Sequence, residues 1–188
     1  MTDTSAATDT NDANGSAPPP SVPESWGAQR RKTVRWSGIE SVQQHAVGLS
    51  GLAYVEGIAD GRFPPPPIAS IFEIELPHVA KGKVVVRCTP DESMLNPLGL
   101  VHGGVLCTIM DTAMGIAVQT TVPASVGYAT IELKVSFLSP LAHDGAPFEV
   151  CGRVLRRGRT VTFAEAHAHD LSGRLVGHAT SSLSAIGR

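Results

Sequence analysis

The sequence predicts an α+β fold in which several largely antiparallel strands surround one long central helix. Three observations support this prediction. Residues 103–121 repeat apolar side chains at helical spacing over about five turns. Five or six shorter runs are rich in β-branched residues and are bounded by turn signals. Two of these runs are joined by Arg157-Gly158, which is typical of a tight hairpin.

One run shows the pattern of a strand with one covered face. Residues 130–137 alternate between polar and apolar side chains with a period of two. The apolar positions are Ile131, Leu133, Val135 and Phe137, and the polar positions are Thr130, Glu132, Lys134 and Ser136. The other strands are expected at residues 68–76, 83–88, 147–156, 159–169 and 175–185, with Gly82 connecting the first two and a loop at 89–99.

The chain before residue 68 is expected to form a tail and a helical extension. The tail contains almost no large apolar side chain, so it cannot offset its ordering entropy and is predicted to be disordered. Ser37 and Glu40 fit a capping box at the start of a helix that continues to Gly61, with Gly48 and Gly51 expected to weaken it or to mark a kink. Four prolines at 64–67 then require an extended chain. The predicted divisions are a disordered tail (1–24), a helical extension with a proline-rich linker (25–67) and a main domain (68–188).

Composition narrows the class of protein. The net charge of -2 and pI near 6.4 give no general electrostatic reason to bind nucleic acid or an anionic membrane, so neither is expected as a partner. Three cysteines without close pairing predict neither a disulfide framework nor a cysteine-based zinc site. The N-terminus has no secretory pattern, and no apolar run approaches the roughly 20 residues that span a bilayer. A cytoplasmic location is the resulting expectation.

Residues 96–111 join a loop to the long helix and carry most of the candidate chemistry. Gly103 and Gly104 stand where the helix begins, and its first N–H groups lack intrahelical partners and can hold a negatively charged oxygen. At roughly 100° per residue, Asp111 falls on a face of small side chains, away from the core stripe. The small residues are Gly104, Cys107, Thr108 and Gly115, and the stripe contains Leu106, Ile109, Ala113, Ile116 and Ala117. This face leaves room for a ligand or a second chain; the alternative is a simple helix cap and a satisfied buried carboxylate.

The pattern Asn-x-x-Gly-x-x-His-Gly-Gly, followed by Asp nine residues after the His, resembles a known family signature. It is similar to that of the hotdog-fold acyl-CoA thioesterases of the phenylacetic-acid-degradation (PaaI-like) type. The segment from Tyr128 to Pro140 resembles the strand that follows the central helix in that family, and the similarity covers roughly residues 68–185. It implies a curved sheet of five to six strands wrapped around the central helix. It also implies an acyl-CoA substrate and no metal or redox cofactor, with coenzyme A present only as part of the substrate.

The resemblance assigns expected roles within this sequence. The Gly103 N–H is the candidate donor to the oxyanion, and Asp111 is the candidate general base or nucleophile, two roles that the sequence does not separate. Thr130 stands where the family commonly has a hydroxyl that orients the water. Asn96 and His102 match positions that contact the thioester or shape the loop. For His102, fixing the loop through hydrogen bonds is an equal alternative to a chemical role.

The spacing of Gly103 and Asp111 predicts a site shared between two chains. Eight residues of helix place them about 12 Å apart, whereas a water that attacks a carbonyl bound at Gly103 must lie about 3 Å from the carbon. We therefore expect a symmetric homodimer in which each chain supplies the donor to one site and the acid to the other. This arrangement is known in the family, which often pairs such dimers into homotetramers.

Two charged clusters in the sequence are candidate binding sites. Arg156, Arg157 and Arg159 at the hairpin are candidates for the CoA phosphates, because guanidinium groups match phosphate oxygens; the alternative is a solvated charged turn. Lys134 is a weaker candidate. A second cluster on one strand contains Glu165, His167 and His169, and His-x-His can bind a metal. It is interpreted as a polar strand face, so no metal site is predicted.

Three functions follow in order of preference. The first is hydrolysis of an aryl- or fatty-acyl-CoA to the free acid and CoA. The second is a non-hydrolytic acyl-CoA-binding or sensing protein with the same fold, which would not need the acid at position 111. A hotdog hydratase or dehydratase is third, because those families differ around the helix. The helical extension is interpreted as packing that covers the sheet, with a roof over the acyl pocket as the sharper hypothesis.

Overall fold

The computed structural model describes residues 22–187. The chain divides into two units. The described part of the first, residues 22–32, contains one turn of 3-10 helix at Glu24–Trp26. The second unit begins at Thr33 and holds the elements described below. The predicted disorder of residues 1–24 falls almost wholly outside the described residues and stays a prediction.

The second unit has four α-helices and a six-stranded sheet. The helices are α1 (Ile39–Ala46), α2 (Gly51–Ala59), α3 (Pro67–Ile71) and α4 (Gly103–Gln119). The strands are β1 (Glu75–Ala80), β2 (Lys83–Cys88), β3 (Gly127–Phe137), β4 (Phe148–Arg157), β5 (Val161–Asp170) and β6 (Leu175–Ile186). The strand order is β1-β2-β4-β5-β6-β3 with every neighbouring pair antiparallel. The predicted α+β arrangement is confirmed, and β3 forms one edge of the sheet.

The core lies between α4 and one face of the sheet. Ile109, Met110, Ala113, Met114 and Ala117 of α4 are fully buried. Facing them on the strands are small or β-branched side chains such as Val84, Val86, Val150, Ala164, Ala166 and Ala179. The helix approaches the sheet closely at Gly152, where an added Cβ would lie 2.4 Å from the Ala113 carbonyl oxygen. Truncating a fully buried residue such as Ile109 to Ala would cost about 2–5 kcal/mol of folding free energy.

The helical extension differs from its prediction. The expected single helix from Ser37 is two helices, because Gly48 adopts φ of 74° and ends the first. The capping box is also wrong: Gly38 is the N-cap of α1, and no side chain caps it. Ser50 provides the cap instead, at the start of α2, where its hydroxyl accepts a hydrogen bond from the Ala53 N–H at 3.3 Å.

The predicted strand at residues 68–76 is the other main correction. Residues 67–71 form α3, because Pro67 stands at a position where proline favours helix initiation. The strand begins only at Glu75, and it pairs with β2 through a hairpin that contains Gly82, as predicted. The remaining strands match their expected positions within a few residues. Across residues 22–187, no helix is both long and apolar enough to cross a membrane.

Candidate active site

The start of α4 is fixed by His102. This residue is the N-cap, and its Nδ1 accepts a hydrogen bond from the Gly104 N–H at 2.9 Å. The loop before it is held by backbone bonds, in which the His102 N–H donates to the Met94 carbonyl and the Val101 N–H to the Leu141 carbonyl. Because Nδ1 is an acceptor here, a neutral ring carries its proton on Nε2. The structure thus gives His102 a clear role in shaping the loop, and a chemical role stays a prediction.

Asn96 organises the loop that leads to the helix. Its Oδ1 accepts from the N–H groups of Leu98 at 2.9 Å and Leu100 at 3.2 Å. Backbone N–H groups are donors only, so these bonds fix which end of the amide is the oxygen. The Asn96 NH2 group therefore points away from the loop backbone. It is a donor that this half-buried side chain can offer to a ligand.

Gly103 is the first residue of α4. Within residues 22–187 its N–H has no hydrogen-bond partner, as expected for the first turn of a helix. The ring of Phe137 lies against it, and a Cβ at Gly103 would be 3.2 Å from that ring. The first turn of α4 thus presents one unused donor next to an aromatic side chain. The positive end of the helix dipole favours an anionic oxygen at this point.

A hydrogen bond between Asp111 and Thr130 connects α4 to β3. The Thr130 hydroxyl on β3 donates to Asp111 Oδ1 on α4 at 2.8 Å. Asp111 is half-buried, and among the described residues its Oδ2 has no donor. The Thr130 oxygen keeps lone pairs that can accept a hydrogen bond. The pair can therefore orient a water molecule between the free carboxylate oxygen and the hydroxyl.

The predicted face of Thr130 is wrong, and a β-bulge is the reason. The sequence pattern placed Thr130 with Glu132 on the polar face and Ile131 on the covered one. The β3–β6 register shifts between Thr130 and Glu132, which leaves Ile131 as the extra residue, 57% exposed. Thr130 is opposite the buried Leu183 and faces α4. Bulges next to active sites commonly re-aim a side chain in this way.

Tyr128 is a site residue that the sequence reasoning did not single out. Its ring packs on α4 at Gly115, where an added Cβ would lie 2.5 Å from the phenol oxygen. Burial raises the pKa of the Tyr128 phenol, and the nearby Asp111 carboxylate and Tyr54 phenol raise it further, so the hydroxyl stays protonated in neutral solution. A signal was available in the sequence, because Tyr128 precedes Thr130 by two residues and must share its strand face.

Tyr128 lines two cavities. The first has a volume of about 580 Å³, and its lining includes Arg157, Arg159, Thr160 and Thr162. Arg157 and Arg159 are exposed side chains at its rim, whereas Arg156 is not part of its lining. The second cavity, of about 250 Å³, lies between α2, residues 65–69, the start of β1 and α4, and is named here the α2 cavity.

The acid and the unused N–H stand on the same helix but far apart. Eight residues separate Gly103 from Asp111, which corresponds to about 12 Å. Gly103, Asp111 and Thr130 lie along α4 and the edge strand β3, and Ile131 and Phe137 of that strand are 57% and 56% exposed. Within one chain, the candidate donor and the candidate acid therefore do not meet at one point.

Side chains of the acidic and histidine cluster on β5 contact residues of the two neighbouring strands. Glu165 accepts a hydrogen bond from Arg153 Nε on the neighbouring strand. His178 of β6, which the sequence pattern could not reveal, contacts His167 with ring centroids 4.7 Å apart and ring planes tilted by 47°. Burial lowers the pKa of His167, although Glu165 acts in the opposite direction. In residues 22–187 no group of three or more His, Cys, Asp or Glu side chains is arranged to hold a metal ion.

Comparison with known proteins identifies the class. Residues 98–177 match the family model described as the thioesterase superfamily. A protein of Saccharolobus solfataricus named as an esterase is 33% identical over 108 residues, which cover 57% of this chain and 75% of that protein. Human acyl-coenzyme A thioesterase 13 is 29% identical over 105 residues, which cover 56% of this chain and 71% of that protein.

A solved structure agrees on the fold. The PaaI protein of the Escherichia coli phenylacetic acid degradation operon superposes with a TM-score of 0.64 and 22% identity, covering 74% of this chain and 96% of that one. The predicted hotdog fold, with a six-stranded antiparallel sheet against a central helix, is therefore confirmed. The chain belongs to the thioesterase superfamily and is a thioester hydrolase.

Proposed function

We propose that this protein hydrolyses acyl-CoA thioesters in a homodimer with two shared sites. In each site the Gly103 N–H of one protomer would hold the thioester carbonyl, and Asp111 of the partner subunit would activate water. The observation that carries the proposal is the Thr130–Asp111 hydrogen bond, which leaves one carboxylate oxygen available on the uncovered side of α4. The similarity to acyl-coenzyme A thioesterase 13 supports CoA as the thiol. The sequence motif and the PaaI-like fold support placement in the PaaI-like family.

Gly103 supplies the electrostatic part of the mechanism. As the carbonyl becomes tetrahedral, its oxygen gains negative charge, and a helix N-terminal N–H already aimed at that oxygen stabilises it without reorganisation. Such a donor typically contributes on the order of 10²–10³ in rate. The Asn96 NH2 group, whose oxygen is held by the loop bonds, is the proposed second donor to the thioester.

Asp111 and Thr130 act on the water. The free Oδ2 accepts a proton from a water whose second proton is directed to Thr130, and the water oxygen adds to the carbonyl carbon. The C–S bond then breaks, and the proton taken by Asp111 is delivered to the departing thiolate. A general base of this kind typically contributes about 10²–10⁴ in rate. Direct attack by the carboxylate would instead form an anhydride that water opens.

The dimer would form along the exposed edge of β3. As an edge strand, β3 has unpaired backbone groups, and it exposes Ile131 and Phe137. An open apolar edge tends to pair with another chain, so these features favour association with a second copy. Association along this edge would cover the α4 face that carries Asp111 and would bring the two halves of the site together. Pairing of two dimers into a tetramer is the larger assembly expected from the resemblance.

Arg157 and Arg159 are the proposed contacts of the CoA phosphates. They line the larger cavity, which shares Tyr128 with the α2 cavity. Arg156, which does not line this cavity, serves as the matched control. Replacing Arg157 or Arg159 by Gln should raise KM for acyl-CoA several-fold and leave hydrolysis of the matching N-acetylcysteamine thioester unchanged. Equal effects of Arg156→Gln would reject this assignment.

The test of the function is thiol release from a panel of acyl-CoAs, measured together with binding by calorimetry. Turnover of one or more members with kcat/KM above 10⁴ M⁻¹s⁻¹, the lower range for enzymes, is expected. Saturable binding without turnover across the panel would overturn the proposal in favour of an acyl-CoA sensor.

A further inference from the structure

The α2 cavity is an apolar space that adjoins the proposed site. Its lining is mostly aliphatic, aromatic or proline side chains, among them Tyr54 and Ile58 of α2, Pro66, Ile68 and Ile116. Thr112, the residue after Asp111, also lines it, as does Tyr128, which precedes Thr130 by two residues. The cavity therefore reaches the part of α4 and β3 that carries the acid and the hydroxyl. Cavities that bind small ligands are typically of this composition.

One wall of this cavity is α2, and α2 is held firmly against α4. At Gly51 the two helices meet so closely that an added Cβ would lie 1.8 Å from the Gln119 carbonyl oxygen. The Gly51 N–H also donates to the Val122 carbonyl at 3.0 Å, just beyond the end of α4. The Ser50 cap closes the same end of α2. Helix α2 is therefore a fixed part of the second unit, and the cavity is largely preformed.

The far end of α2 is supported by Phe63. The Phe63 ring packs on Gly57, where an added Cβ would lie 2.1 Å from it. It also stacks with Tyr54, with ring centroids 6.2 Å apart and planes at 19°. Tyr54 thus stands between Phe63 and the cavity. These contacts fix the side of α2 that faces the cavity.

We propose that the α2 cavity receives the acyl group and that Ile58 sets the longest acyl group accepted. This inference rests on the proposed function. The helix that provides the wall lies outside the segment that matches the thioesterase model, residues 98–177. A dry cavity of about 150 Å³ holds one benzene molecule. A cavity of about 250 Å³ therefore suits a phenylacetyl or medium-chain acyl group better than a long saturated chain.

The experiment measures kcat/KM for straight-chain acyl-CoAs from acetyl to palmitoyl, and for phenylacetyl-CoA. For the wild type, kcat/KM should rise about fourfold per methylene while the cavity fills, and fall beyond medium length. Ile58→Phe should lower the octanoyl-to-butyryl ratio of kcat/KM at least tenfold. Ile58→Ala should move the maximum to a longer chain. Leu52→Ala is the matched control, because Leu52 is a half-buried residue of the same helix that does not line the cavity.

The outcomes separate this inference from the function on which it rests. If the wild type hydrolyses acyl-CoAs but both Ile58 variants keep its chain-length profile, the cavity is not the acyl site. The same conclusion follows if Leu52→Ala shifts the profile as much as they do. If the wild type hydrolyses no member of the panel, the proposed function itself fails. Should Ile58→Phe not fold, Ile68→Phe narrows the cavity from the opposite wall, and Ile68 is 41% exposed and tolerant of a larger side chain.

Discussion

The two halves of the proposed site are built in different ways. At the start of α4, backbone bonds and the polar side chains of Asn96 and His102 hold the loop, and the functional group is a backbone N–H. In the middle of α4, the functional group is a side chain, held by one hydrogen bond from Thr130 on an edge strand. The donor half is thus fixed within one chain, whereas the acid half is open on the side where a second chain would lie.

This difference predicts how each half responds to substitution. Removing the Asp111 carboxylate removes the reactive group itself. A side-chain change at Gly103 leaves its N–H in place, and only loss of that N–H removes the function. The supporting residues Asn96 and Thr130 should have smaller effects, because each positions a group that remains present.

The largest expected effect is that of Asp111→Asn. The amide is nearly the same shape and can still accept a hydrogen bond from Thr130, but it is not a base. We expect kcat to fall by about 10²–10⁴ while the thermal midpoint changes little. Thiol release from the preferred acyl-CoA measures the first, and a melting curve measures the second. Turnover within tenfold of the wild type would remove Asp111 from the mechanism.

The next effect is that of Gly103→Pro, which removes the proposed donor. Proline is favoured at the first helical position, and His102 has φ of -63° and ψ of 135°, an extended conformation that a following proline permits. The expected loss of kcat is about 10²–10³. Gly103→Ala is the control, since it places the same Cβ against Phe137 and keeps the N–H. Equal losses in the two variants would assign the effect to crowding at Phe137.

Thr130→Val should have a smaller effect on kcat, because it alters the surroundings of Asp111 without removing the carboxylate. Valine keeps the branched shape and removes the hydroxyl, so Asp111 loses its one hydrogen bond from β3. A fall in kcat of about tenfold is expected, because a hydrogen bond to a charged group is typically worth 1.5–3 kcal/mol and Thr130 is exposed. Thr130→Ser should restore most of the rate. An unchanged rate in the valine variant would show that the water is oriented by other groups.

The smallest effect on activity is expected for substitutions of Asn96. Comparing Asn96→Ala with Asn96→Asp distinguishes a role in shaping the loop from a role in contacting the substrate. The aspartate keeps an oxygen that accepts from Leu98 and Leu100 and exchanges the NH2 donor for a second, negatively charged oxygen, whereas alanine loses both groups. If the amide contacts the thioester, both variants should lower kcat/KM several-fold. If it only shapes the loop, Asn96→Asp should match the wild type, and Asn96→Ala should lose about 1–3 kcal/mol of folding free energy in urea denaturation.

The sequence predicted the features that are encoded locally. The limits of α4 and the α+β class follow from periodicity, whereas the choice of Thr130 as a site residue came from the family resemblance. Gly48 and Pro67 are local signals too. Gly48 is the predicted weak point of the helical extension, but it separates two helices and does not kink one, and Pro67 starts a helix where an extended chain is expected.

Other features depend on contacts between distant segments. The bulge at Ile131 is set by pairing with β6, so alternation along β3 alone placed Thr130 on the wrong face. The α2 cavity requires α2, α3 and α4 to meet, and no spacing within any one of them indicates it. His178 reaches the β5 cluster only through the register of the sheet.

Mixed dimers test the shared site most directly. Asp111→Asn and Gly103→Pro chains carrying different tags are co-expressed, and the heterodimer is purified through both tags. Each heterodimer then has one site with an intact N–H and an intact acid, while its other site lacks both. Recovery of about half the wild-type kcat per heterodimer is the predicted result. A heterodimer as inactive as the two parent homodimers would show that the N–H and the acid act within one chain or not at all.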